Sequence, residues 1–79
     1  MKDKERTLDS LREGELAVVT GIYTCGTEGS RLRELGLTDG TEIKRYKSAP
    51  SGNPAAYLFR GAVIALRNED AKNIMVEKL

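Results

Sequence analysis

The chain has 79 residues, with 13 lysines and arginines against 12 aspartates and glutamates, so its net charge is +1. That length allows one small domain, and that balance supplies no broad field to gather nucleic acid or an anionic membrane. Histidine is absent and Cys25 is the single cysteine, which removes the commonest general base, the commonest transition-metal ligand and any internal disulfide.

Residues 1–6, MKDKER, alternate charge with nothing apolar beyond Met1 and read as a flexible, solvated tail. One domain is expected over residues 7–79. No apolar segment follows the charged start to act as a secretory signal, and the longest apolar run, Ala62 to Leu66, is far too short to span a bilayer. With one cysteine, this points to a reducing, cytoplasmic setting.

In TLDSLREG, Leu8 and Leu11 lie three apart before Gly14, which suggests a turn tucking two leucines under a barrel. The β-branched stretch Glu15 to Tyr23 predicts a strand, with Gly21 at a bend or bulge. A helix follows through RLREL, with Thr27 as its expected N-cap and Glu28 in the dipole-favoured first turn. Leu32 and Leu35 share one face, while Arg31, Arg33 and Glu34 point away from it. Gly29 counts against this helix, because glycine costs about 1 kcal/mol inside one.

Gly36 reads as the left-handed residue that ends the helix, which would let Leu37 pack back on Leu32. Asp39-Gly40 supplies the next tight turn. Glu42 to Ser48 predicts a strand with Ile43 inward and with Lys44, Arg45 and Lys47 keeping it wet. APSGNP is a loop, AAYLF a strand, Arg60-Gly61 a turn and AVIAL a strand. NEDA reads as one helical turn capped by Asn68, and NIMVEKL as a last strand with Ile74 and Val76 inward. Leu32, Val18, Ile43, Ile64 and Val76 are expected to share the core. About five short strands, one helix and turn signals every ~8–12 residues indicate an all-β fold, a small closed or nearly closed barrel with one short inserted helix.

These residues resemble the FeoA family, ferrous-iron transport protein A. The chain carries Leu11 and Gly14, then RLRELGLTDGTEI, SGNPAAYLFRG and GAVIALRNEDAKNIMVEK, five family motifs in order over about residues 7–78. The resemblance implies an SH3-like barrel, a cytoplasmic accessory role and a partner, the cytoplasmic region of the large GTPase-permease FeoB. It also carries the family's transition-metal label. The same barrel type resembles the C-terminal domain of metal-dependent repressors, so a metal-responsive module acting with a repressor is one alternative. A small nucleic-acid-binding barrel is another.

Leu32, Leu35, Gly36, Leu37 and Gly40 are accounted for by structure alone. Arg31, Arg33 and Glu34 are not required by a core. With Tyr23 and Cys25 in the loop ahead of the helix, they form the candidate partner-binding surface, because arginine and tyrosine are enriched at binding hot spots. Solvated decoration is the competing reading. One thiol without imidazole makes a poor transition-metal site, and Glu28, Asp39 and Glu42 show no ligand spacing. Gly26, Gly29 and Ser30 lack the Gly-Lys-Ser/Thr signature of a phosphate loop. Lys44, Arg45, Tyr46 and Lys47 form a small basic-aromatic group whose simpler reading is a solvated strand face. No catalytic residue, cofactor or metal ligand is assigned, and a non-enzymatic adaptor is expected.

Overall fold

The computed structural model of the protein describes residues 5–79. Its strands are β1 (Glu5–Thr7), β2 (Leu16–Ile22), β3 (Glu42–Ser48), β4 (Ala55–Phe59), β5 (Ala62–Leu66) and β6 (Ile74–Lys78). Helix α1 spans Gly26–Glu34 and the short α2 spans Asn68–Ala71. Neighbouring strands are antiparallel, in the order β1-β6-β2-β3-β4-β5. Twisted about one core, this sheet forms an SH3-like barrel.

The first four residues of the expected tail lie outside the described residues. Its last two, Glu5 and Arg6, instead belong to β1 and pair with Glu77 and Val76 of β6. This sixth strand is short and mostly exposed, so it has no hydrophobic alternation by which to announce itself. A 3-10 turn at Leu8–Ser10 then buries Leu8, and Leu11 beside it, as the leucine spacing suggests.

The inward face of β2 differs from the expected core by one residue. Ala17 and Val19 are buried and Val18 is only half-buried. Cross-strand partners share a face, and Ala17 lies opposite Ile43 while Val19 lies opposite Val76. Those two contacts set the register. A register shift between Val19 and Gly21 then turns the strand, where the glycine suggested a bulge.

Helix α1 begins earlier than expected. Cys25, not Thr27, is its N-cap, and Gly29 N–H closes the first turn on Cys25 O at 3.3 Å. Its end follows the expected pattern. Gly36 has φ +100°, its N–H donates to Arg33 O at 3.0 Å, and Leu37 N–H donates to Leu32 O at 3.0 Å. That is the Schellman pair. Leu32 and Leu37 are both fully buried in the core. Leu35 is not: it is 39% exposed, because the C-cap residue lies where the chain leaves the packed face.

Arg45 is buried rather than wet. It lies two residues from Ile43 on the same face, and its guanidinium serves as a hub. Nη1 donates to Leu11 O at 2.8 Å and Asp9 O at 3.0 Å, Nε to Ser48 Oγ at 2.9 Å, and Nη2 to Gly52 O at 3.3 Å. One side chain thus ties the 3-10 turn to the Ala49–Pro54 loop. Opposite it on β4 sits Tyr57, fully buried, whose hydroxyl pKa is pushed up by desolvation. In α2 the N-cap is Arg67 and not Asn68. The backbone N–H of Asn68 instead donates to Asn53 Oδ1 at 3.0 Å, joining α2 to the same loop.

Candidate partner-binding surface

The loop between β2 and α1 is built by two close approaches. The ring of Tyr23 lies across Gly21, where a Cβ would stand only 2.9 Å from the ring edge and the hydroxyl. Gly29 lies against the Thr24 carbonyl so closely that a Cβ there would overlap it. The glycine that argues against a helix on propensity is the residue that lets the helix dock on its own entry loop. Thr24 is buried, and its hydroxyl donates to Asp70 O at 3.0 Å, fixing the loop to α2.

On that platform Tyr23 stands 66% exposed. Cys25 is exposed too, its thiol donating weakly to Tyr23 O at 3.4 Å. Arg33 extends back along the helix, its Nη1 near the Gly29–Thr24 contact. Arg31 leaves on the other side and pairs with Glu28 at 2.6 Å. Both arginines and Glu34 are exposed. The structure therefore places Tyr23, Cys25 and Arg33 around one loop. Arg31 faces a groove of about 450 Å³ shared with Ala65, Arg67 and Asp70. The Arg31–Glu28 pair is largely solvent-exposed, so it contributes about 0–1 kcal/mol to stability.

Gly21, Arg67 and Asp70 were not legible as parts of this surface. Thr24 and Asp70 meet only because β6 returns beside β2, and no local pattern announces that meeting. Leu32, Gly36, Leu37 and Gly40 hold the helix corner in place. Gly40, at φ +90°, donates its N–H to Val19 O at 2.7 Å.

Among the described residues, no group of three or more Cys, Asp or Glu side chains is placed to hold a metal ion. No helix there is long and apolar enough to cross a membrane.

The sequence matches the FeoA domain over residues 6–78. It is 33% identical over 70 residues to a Porphyromonas gingivalis protein named Fe(2+) transport protein A/Fe(2+) transporter FeoB fusion protein. That match spans 89% of this chain and only 8% of the longer relative. Among solved structures, a FeoA-like protein from Clostridium acetobutylicum is 33% identical with a TM-score of 0.83, over 96% of this chain and 88% of that one. FeoA from Chlorobium tepidum is 31% identical with a TM-score of 0.83, over 92% of this chain and 70% of that one. A match along nearly the whole chain, in sequence and in fold, makes this protein a member of the FeoA family, whose small domains are non-catalytic.

Proposed function

We propose that this chain is a cytoplasmic accessory protein of ferrous-iron transport, an adaptor that binds the cytoplasmic region of a FeoB-type GTPase-permease. The observation that carries this reading is the relative in which the two proteins are named as one fusion. Fusion holds two parts at high effective concentration, an arrangement useful to parts that act on each other. The binding surface is the outer side of α1 with the loop before it: Arg31, Arg33 and Glu34, together with Tyr23 and Cys25. These side chains are exposed on a backbone held rigid by the Gly29–Thr24 contact and the Leu32–Leu37 corner, so little ordering has to occur on binding.

The test is a pull-down of the soluble cytoplasmic region of FeoB from the same organism, with and without guanine nucleotide and ferrous iron. Retention in at least one nucleotide state is expected. No retention in any of them would end the proposal.

A further inference from the structure

Strand β5 ends the sheet, and among the described residues nothing pairs with its outer side. The Arg60-Gly61 turn, at φ 51° and 77°, makes a two-residue hairpin closed by Phe59 and Ala62. In such a hairpin the closing residues exchange hydrogen bonds, and alternate pairs after them do so again. Ala62, Ile64 and Leu66 are thereby bonded to β4. Val63 and Ala65 turn their backbone N–H and C=O groups outward. Both are exposed, Val63 at 53%.

The two ends of the sheet differ in their chemistry. Strand β1 has three residues and carries Glu5 and Arg6, charges of the kind that protect an edge from unwanted pairing. Strand β5 has five residues, all apolar, with no charge, proline or register shift. Charge enters only at its ends, as exposed Arg60 before it, whose Nε donates to Gly36 O at 3.0 Å, and exposed Arg67 after it, in a loose 3.5 Å pair with exposed Glu69. Beside its last residues opens the groove toward Arg31 and Glu28 of α1.

A second copy of the chain is disfavoured in the register that pairs both outward residues of this edge. Antiparallel pairing that matches Val63 with Ala65 of the other copy sets each Arg67 opposite Gly61 and beside Arg60. Like charges then meet at both ends of the pairing, which is destabilising. A strand with acidic ends meets cations instead.

We propose that β5 accepts an extended segment of a partner protein as an added strand, apolar and β-branched at its centre and carrying a carboxylate at each end. Backbone pairing to Val63 and Ala65 supplies the binding mode. Arg60 and Arg67 select the flanks. The proposal does not depend on the partner being FeoB.

The probe is a displayed library of random twelve-residue peptides selected on the full chain, with the selected peptide then synthesised. The expected consensus alternates β-branched residues between acidic ends. On binding, the amides of Val63 and Ala65 should exchange with solvent at least tenfold more slowly. N-methylating one alternate set of peptide residues should weaken binding at least tenfold, and methylating the other set should leave it intact. The variant Val63→Pro removes an outward N–H at a position where an edge strand tolerates proline, and should weaken binding with an unchanged melt. If that variant does not fold, the two methylated peptides decide. The proposal is overturned by no enrichment, by protection that avoids β5, by equal effects of the two methylation patterns, or by a β5-paired dimer in sedimentation.

Discussion

Arg45 shows how much of the fold one side chain can hold. It bridges the carbonyls of Asp9, Leu11 and Gly52, which lie on two separate loops. Arg45→Lys keeps the charge but cannot reproduce a planar fork of donors. A loss of about 2–4 kcal/mol is expected in a urea melt, since bonds to a charged group contribute about 1.5–3 kcal/mol and some carbonyls would be left buried without a donor. Glu15 offers a milder effect that depends on pH. A hydrogen bond from Lys78 at 2.8 Å, then one from the Arg12 backbone N–H, holds its carboxyl below the usual 4.5. A lowered folded-state pKa stabilises above the unfolded value and loses that contribution as pH falls through the folded one. The stability difference between the natural chain and Glu15→Gln should therefore be present at neutral pH and vanish in acid below that lowered value, read from urea midpoints across the range.

The α1 corner is where element-level reasoning succeeds and fails side by side. Gly36 and Leu37 were legible because a Schellman ending is local: glycine, then an apolar residue, after a leucine-bearing helix. Gly29 was legible only as a flaw, because what makes it necessary is the Thr24 carbonyl pressed against it. The two views predict opposite signs for Gly29→Ala. Propensity alone would stabilise by about 0.5–1 kcal/mol, whereas overlap with a backbone carbonyl should cost about 1–3 kcal/mol. Thermal melts should show destabilisation, and a gain would mean the helix does not dock as described. Strand β3 carries a related lesson. Alternation from Ile43 already put Arg45 on the inner face, but its charge argued for solvent. Only the waiting carbonyls make burial of a guanidinium favourable, and they come from distant turns. Strand β1 left no pattern at all, with three mostly exposed residues held by pairing to β6.

At the scale of the whole molecule, composition sets the expectation for metal. With no histidine and one cysteine, the isolated chain is poor in the nitrogen and sulfur ligands that transition-metal ions usually take. Calorimetry with anaerobic ferrous iron and with zinc should find affinity no better than about millimolar, weaker than −4.1 kcal/mol. A stoichiometric micromolar site would instead favour a metal-sensing role. Charge reversal on α1 tests the proposed partner surface. Arg31 and Arg33 leave opposite sides of α1 while Leu32 between them is buried in the core. Arg31→Glu combined with Arg33→Glu should barely alter the melt, because exposed charges contribute within about 0.5 kcal/mol. The decisive measurement is a titration of that variant and the natural chain against the cytoplasmic region of FeoB. Binding at least tenfold weaker, about 1.4 kcal/mol, with folding intact is the expected result; equal affinity with folding intact would contradict the assignment of the α1 surface.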